Sequence, residues 1–353
     1  MKISNKIIDD DIKLIIDSQI DWERFSDKTV LISGANGFLP AYIVETLLYL
    51  KRKGNKFNVR VIGLVRDRDK AIKRFKDYEN DSHLVLIQHD VCNEIFIDEK
   101  IDFIIHAASQ ASPKYYGIDP VGTLNANVLG TINLLRLAVK NNIESFLFFS
   151  SGEVYGEVTK KIIREDDYGY LDPTKVRACY GESKRMGENI CISYYHQYKV
   201  PVKILRPGHT YGPGMQLNDG RVFADFVSSV VKKENIILNS NGSARRNFCY
   251  LADATIGFFL VLLNGKNGNA YNIGNPTEDY SILELANIVV NIKPELNLKV
   301  QFGEEVSGNN YLKSPIKGGI LDITKIMGIG WAPRTSAKEG FKRTIESYLK
   351  TDF

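Results

Sequence analysis

Cysteine is scarce in this chain: Cys92, Cys179, Cys191 and Cys249 are the only four in 353 residues, scattered and without a CxxC pair. A chain of this length needs no covalent staples, so a disulfide framework and a structural zinc site are both excluded. Long hydrophobic runs are missing as well, and nothing approaches the roughly 20 apolar residues that a membrane-spanning helix requires. The opening stretch through Trp22 alternates charge with isoleucine. A signal peptide would instead show a continuous apolar core and a small-residue cleavage site. Charge of one sign is barely in excess, since 46 Lys and Arg against 42 Asp and Glu leave +4. That is too little to argue for nucleic acid by itself. There is no internal repeat and no low-complexity linker. His106, His196 and His209 lack metal-ligand spacing to one another, so no metal is expected. These absences lead to the expectation of a soluble cytoplasmic protein that binds neither nucleic acid nor membrane.

What is present is ordinary globular composition, 44% hydrophobic and 25% charged. At about 150 residues per domain the length allows one large or two modest domains. Short apolar runs (TVLIS, NVRVIGLV, HLVLIQHDV, IDFIIHAAS, SFLFFSS, VPVKILRP) alternate with amphipathic stretches such as VGTLNANVLGTINLLRLAVKNN and YGESKRMGENICISYYHQY. Strands that are apolar on both faces and separated by helices predict a parallel sheet covered on two sides. Beyond Pro207 the chain becomes rich in turns, with a helix expected from Arg221 to about Lys233. The expected division is an N-terminal extension (1–26), a dinucleotide-binding domain (27–206) and a mainly substrate-binding region (207–353).

The first strand runs through Val30-Leu31-Ile32-Ser33 into Gly34-Ala35-Asn36-Gly37-Phe38 and then a helix. Glycines here let backbone amides approach a pyrophosphate, and the helix N-terminus adds favourable partial charge. Pro40 stands where a third glycine is common, and proline is tolerated in a first helical turn. At the end of the second strand, an acid would bind the ribose 2′-hydroxyl of NAD; Val65 and Arg66 stand there. Arginine suits a 2′-phosphate or stacking on adenine, which keeps both NAD and NADP open. Asp90, closing the third strand, can accept from an adenine amino group.

The chemical centre combines two segments. Ser150-Ser151-Gly152-Glu153 closes a strand, and about 25 residues later Tyr180-Gly181-Glu182-Ser183-Lys184 opens a helix. Four-residue spacing puts Tyr180 and Lys184 on one face, one turn apart. A tyrosine titrates near ~10 in water, and an ammonium group and an oxidised nicotinamide beside it both favour phenolate, a base near neutrality. Ser151 can share the same substrate oxygen. Asn127, polar in an otherwise apolar helix, is expected to tie the catalytic helix to the sheet. Arg246 suits a diphosphate, whereas Arg245 reads more readily as solvated.

Several segments together resemble the extended short-chain dehydrogenases/reductases of the nucleotide-sugar epimerase/dehydratase group, and within it most the UDP-glucuronate decarboxylases. They include Gly34-Ala-Asn-Gly37-Phe, His106-Ala-Ala-Ser-Gln-Ala-Ser-Pro113, Ser151-Gly-Glu-Val-Tyr-Gly156, Arg177-Ala-Cys-Tyr180, Asn218-Asp-Gly-Arg221 and Gly242-Ser-Ala-Arg-Arg246. The resemblance spans about residues 27 to 345. It implies an α/β doubly wound parallel (Rossmann) sheet with a smaller C-terminal substrate-binding α/β region. It implies Ser151, Glu153, Tyr180 and Lys184 as catalytic residues, with Tyr180 the base. Dinucleotide contacts are implied at Gly34, Asn36, Gly37, Phe38, Leu39, Arg66, Asp90, Val91, Ala107, Ala108, Ser109, Asn127, Tyr180, Lys184, Pro207 and His209. Substrate contacts are implied at Ser112, Gly152, Glu153, His209, Arg221 and Arg246. The cofactor implied is a retained NAD, the partner a nucleotide-diphosphate sugar, and the assembly a homodimer through helices Leu124–Lys140 and Tyr180–Tyr198.

The expected reaction begins with oxidation at sugar carbon 4, Tyr180 taking the hydroxyl proton. A carbon-6 carboxylate then becomes that of a β-keto acid and leaves as carbon dioxide. The 4,6-dehydratases have Asp before the glutamate, where this chain has Gly152, so the acid for a departing hydroxyl is absent and decarboxylation is favoured. Dehydration, epimerisation and 4-keto reduction stand as the alternatives.

Overall fold

The computed structural model describes residues 3–51, 57–303 and 319–349. The chain passes through α1 (Lys6–Ile16), β1 (Thr29–Ser33), α2 (Phe38–Leu50), β2 (Arg60–Val65), α3 (Arg68–Arg74), β3 (Leu84–Gln88), β4 (Phe103–His106), α4 (Pro120–Asn141) and β5 (Ser145–Phe149). Then come β6 (Ile162–Ile163), α5 (Cys179–Tyr198), β7 (Val202–Pro207), β8 (His209–Tyr211), α6 (Val222–Lys232), β9 (Ile236–Leu238), β10 (Arg245–Tyr250) and α7 (Leu251–Asn264). The last elements are β11 (Asn269–Ile273), β12 (Asp279–Ser281), α8 (Ile282–Val290), β13 (Val300–Phe302), β14 (Ile320–Leu321), α9 (Thr324–Met327) and α10 (Ala337–Leu349).

Seven strands form one parallel sheet in the order β11-β7-β5-β4-β1-β2-β3. The chain moves outward from β1 to β3 and then returns to build from β4 in the opposite direction. The order therefore reverses between β1 and β4, and a crevice opens there at the carboxyl ends of the strands. β1, β4 and β5 are buried almost throughout, as strands covered by helices on both faces must be. This is the doubly wound sheet expected from the alternation of apolar runs and helices. One strand came unannounced: β11, from the turn-rich C-terminal half, pairs with β7 and adds a seventh strand. The smaller sheets are β12-β10-β8, β13-β9 and β14-β6.

The predicted helix from Arg221 starts at Val222, with Arg221 as its N-cap. α2 is buried nearly all round because α1 and α7 cover it on the side away from the sheet. α1 docks through Ile8, Ile12, Ile15 and Ile16 and carries two buried acids, Asp9, paired with Lys13, and Asp11. Asp11 accepts from the Tyr42 hydroxyl at 2.9 Å, the Tyr250 hydroxyl at 2.6 Å and Arg343 Nη2 at 2.5 Å. The first helix, the sheet-covering helix and the last helix are thereby joined at one charge. Removing one partner of a buried pair strands the other. Arg343→Ala is therefore expected to lower unfolding free energy by about 3–5 kcal/mol. Urea denaturation checks this, and Asp11→Asn in the same chain should recover part of the loss.

Candidate active site

The crevice at the switch point continues into one cleft of about 940 Å³. At its dinucleotide end, β1 turns through Gly34, whose φ of +67° is natural only for glycine. A Cβ there would lie 2.8 Å from the Ala108 Cα, so the first and fourth strand ends close on each other only without one. The Gly37 amide donates to the Gly34 carbonyl at 2.8 Å, and no side chain caps α2, whose first amides face the cleft mouth. Pro40 lies in that first turn, where its missing N–H costs nothing. Ser33 Oγ accepts from the Ala107 and Ala108 amides at 3.2 Å and bonds His106 Nδ1 at 2.8 Å. Burial and nearby Lys184 push His106 down to about 3, which makes it a neutral structural partner. Arg66 and Asp90 both line this end. The Cys92 amide, donating at 2.9 Å, holds the Asp90 carboxyl below its usual range, helped by Arg66. A glycine cradle, an uncapped helix start and a hydrogen-bonding acid at the third strand fit a dinucleotide.

Tyr180 and Lys184 both face the cleft. Gly187 permits this, because a Cβ there would meet the Phe148 ring at 2.4 Å; α5 consequently lies hard against β5. Lys184 Nζ donates to the Phe149 carbonyl at 2.6 Å. Burial pushes Lys184 down to about 7, with Glu188 pulling the other way. Tyr180 behaves differently from the sequence-based expectation. Burial and the charge of Glu153 push it up to about 12, opposed by a hydrogen bond from Ser151 and by Arg221 and Arg177. The Lys184 ammonium lies 5.8 Å from the Tyr180 ring centroid. The protein's own groups do not make the phenolate near neutrality, because desolvation outweighs their pull.

Every site residue singled out in the sequence lines this cleft except Asn127. Asn127 is fully buried, and its Nδ2 donates to Ser183 Oγ at 2.9 Å and to the Thr123 carbonyl at 3.1 Å. It ties α4 to α5 rather than the catalytic helix to the sheet. At the substrate end, Arg221 donates to the Ala111 carbonyl at 2.7 Å and pairs with Asp219 at 3.0 Å, while Ser112 Oγ donates to the Asp219 carbonyl at 2.5 Å. Arg246 lines the cleft; Arg245 is exposed and pairs with Asp279 and Glu284. His209 opens onto the cleft, yet its low-dielectric walls, with Arg246 and Arg221, push it down to about 3. Glu153 is gripped at both oxygens by Arg177 Nη1 and Nη2, at 2.9 and 3.0 Å. Two residues had escaped the sequence reading, Arg177 and Tyr116, whose ring stacks on that of Tyr180 at 5.1 Å between centroids. Arg177 stood in a quoted motif three residues before the base, the one available signal. Tyr116 had none, since its contact is long-range.

A doubly wound sheet with a glycine turn at its switch point and Ser, Tyr and Lys converging beside it defines a dinucleotide-dependent oxidoreductase centre. The chain belongs to the NAD dependent epimerase/dehydratase family, whose model matches residues 30–274, and its cofactor is NAD. It is 31% identical over 325 residues to UDP-glucuronic acid decarboxylase 6 of Arabidopsis thaliana, covering 92% of this chain and 89% of that protein. It is 32% identical over 324 residues to UDP-glucuronic acid decarboxylase 1 of Danio rerio, covering 92% and 73%. Among solved structures, the UDP-glucose 4-epimerase of Thermotoga maritima with UDP-glucose superposes with a TM-score of 0.78 at 22% identity, covering 91% of this chain and 99% of that one. The UDP-glucuronic acid 4-epimerase of Bacillus cereus with UDP-glucuronic acid and NAD gives 0.75 at 23%, covering 90% and 98%. None of the described helices is long and apolar enough to cross a membrane.

The buried lysine gives a signed pH dependence. Unfolded, Lys184 titrates near 10.5; folded, near 7. Between those values the unfolded chain holds a proton that the folded one lacks, so the cost of burying the lysine falls there as pH rises. The cost is complete below about pH 7 and absent above about 10.5. Lys184→Met should stabilise the NAD-free protein by roughly 3 kcal/mol at pH 7. Thermal or urea unfolding across that range should show the gain fading as pH rises; a flat response would mean that the ammonium is not desolvated.

Proposed function

We propose that this protein removes carbon dioxide from a UDP-glucuronate-like nucleotide sugar after transient oxidation at carbon 4. The observation that carries this reading is the convergence of Ser151, Glu153, Tyr180 and Lys184 in one cleft whose far end is lined by Arg221 and Arg246. Residues 27–206 hold the cofactor and 207–353 mainly hold the nucleotide sugar, with 1–26 packed as an extension. NAD, held by the glycine turn and Asp90, would supply hydride acceptance and return at carbon 4 and, when oxidised, a positive charge that favours the Tyr180 phenolate. Arg221 and Arg246 hold the diphosphate and the negative charge it brings. Ser151 holds the carbon-4 oxygen while Tyr180 takes its proton. Lys184, hydrogen-bonded to the Phe149 carbonyl, keeps α5 and hence the phenol in place. With the ketone oxygen held by Ser151 and Tyr180, the bond from carbon 5 to a carboxylate at carbon 6 breaks and its electrons are delocalised onto that oxygen. Carbon 5 then takes a proton from the water that Glu153 orients, and as hydride would come back to carbon 4 Tyr180 returns its own proton to the carbon-4 oxygen. Glu153, already gripped by Arg177, orients a water or a hydroxyl.

Val121, Leu124, Leu129 and Val139 on α4 and Met186 and Ile192 on α5 are exposed apolar side chains. So many exposed apolar side chains on two neighbouring helices support a homodimer, in which a second copy would cover them. Analytical ultracentrifugation should then give twice the monomer mass, and Leu129→Glu should shift it to monomer.

Mass spectrometry after incubation with UDP-glucuronate should show loss of one carbon dioxide. Loss of water from a different nucleotide sugar, or an isomer of unchanged mass, would replace this reading with dehydration or epimerisation. Tyr180→Phe should lower kcat by about 10²–10⁴-fold.

A further inference from the structure

Arg177 precedes α5 by two residues, in the turn Val176–Ala178, and its contacts converge on the base. Its two terminal nitrogens donate to both oxygens of Glu153, at 2.9 and 3.0 Å. The same guanidinium lies over the ring of Tyr116, 4.9 Å from the centroid. Tyr116 in turn stacks on Tyr180 at 5.1 Å and 16° between planes, and its hydroxyl is pinned to the Ala111 carbonyl at 3.0 Å. Guanidinium, phenol and phenol thus form three layers, the outer two from the start of α5 and the middle one from the segment before α4.

The layering has a mechanical consequence. Tyr116 is 1% exposed, so the Tyr180 ring cannot tilt toward it without displacing a packed and anchored neighbour. It also has an electrical one. Around Tyr180 stand Tyr116 from the segment before α4, Ser151 and Glu153 from the turn after β5, Arg177, Lys184 on α5 itself, and Arg221 at the start of α6. Of these only Glu153 is an anion, and it opposes ionisation of the phenol. Arg177 is its partner at hydrogen-bonding distance and a cation acting on the same phenol.

We propose that Arg177 is a positioning residue for the base: by gripping Glu153 and covering Tyr116 it sets the ring plane of Tyr180 and neutralises the anion beside its hydroxyl. This rests on the reading of Tyr180 as the proton acceptor. A bidentate grip suits Arg and not Lys, because only the guanidinium presents two parallel donors.

The test is the pH profile of kcat with UDP-glucuronate, together with an ultraviolet difference titration of NAD-loaded protein against its Tyr180→Phe variant. Arg177→Gln should move the acidic limb of the profile and the Tyr180 titration upward together by about one pH unit, roughly a tenfold loss of rate below the limb. Glu153→Gln added to Arg177→Gln should bring the titration back, since the anion is gone. Arg177→Lys should return most of the titration shift but leave the plateau of kcat low, because the charge is kept and the planar grip is lost. Coincident titrations of wild type and Arg177→Gln would overturn the proposal, and so would a double variant as shifted as the single one. If Arg177→Gln does not fold, Glu153→Gln alone decides: a lower Tyr180 titration supports the proposal, and an unchanged or higher one overturns it. Absence of turnover with UDP-glucuronate would remove the decarboxylase reading, while the difference titration would still report on Arg177 and Tyr180.

Discussion

The close approach of α5 to the carboxyl end of β5 is the constraint from which the rest of the site follows. Gly187 removes the one atom that would collide with Phe148, and Lys184 then reaches the Phe149 carbonyl at 2.6 Å. From the other side, Asn127 holds Ser183, so α5 is fixed between β5 and α4. One turn further on, Glu188 accepts from Ser150 Oγ at 2.5 Å and grips Arg206 of β7. A helix held at two successive turns, against β5 and β7 on one side and α4 on the other, has little freedom to slide. Tyr180 therefore faces Ser151 because of contacts made deeper in the protein, and the switch point between β1 and β4 brings the dinucleotide cradle to the same edge of the sheet.

That anchoring requires charges in a dry place, and the protein handles them by pairing. Glu188 with Arg206 and Glu153 with Arg177 are bidentate pairs, and Asp219 partners Arg221. Burial otherwise drives ionisable groups toward neutrality, visible in Lys184 and His106. A neutral His209 between Arg221 and Arg246 adds hydrogen-bonding capacity without adding charge. The substrate end retains a net excess of arginine, which is what a diphosphate needs.

Legibility from the sequence followed the range of the interactions involved. The sheet core could be read because each strand announces itself by a short apolar run, and the alternation with helices dictates parallel order. β11 escaped because NAYNI carries two asparagines: Asn272 is buried and accepts from the Tyr155 hydroxyl at 2.5 Å, a partner 117 residues away. The glycine turn and the Tyr180–Lys184 pair were visible because spacing along one element encodes them. The acidity of Tyr180 was not, since it is set by desolvation and by Glu153, which only folding brings near. Asn127 could be flagged as a polar group needing a partner, but Ser183 as that partner lay 56 residues off. Family resemblance supplied the remaining lining residues, among them Ser112, whose local sequence contains no chemical signal of its own.

The proton inventory of the cleft bears on which reaction the proposed substrate undergoes. Loss of water from carbons 5 and 6 needs an acid for the departing hydroxyl as well as a base at carbon 5. Residue 152 is glycine and offers no acid, and a Cβ there would have only the Pro207 carbonyl near it, at 3.6 Å, so nothing forbids a larger residue. His209 is held neutral, and Glu153 has both oxygens committed to Arg177. Of the side chains considered, Tyr180 is thus the one that the proposed mechanism uses to exchange a proton with the sugar, at the carbon-4 oxygen. Departure of carbon dioxide asks for no acid at carbon 6, because the leaving group is neutral and the electrons go to the ketone that Tyr180 and Ser151 hold. A site short of acids but well supplied with groups that hold that one oxygen matches decarboxylation better than dehydration.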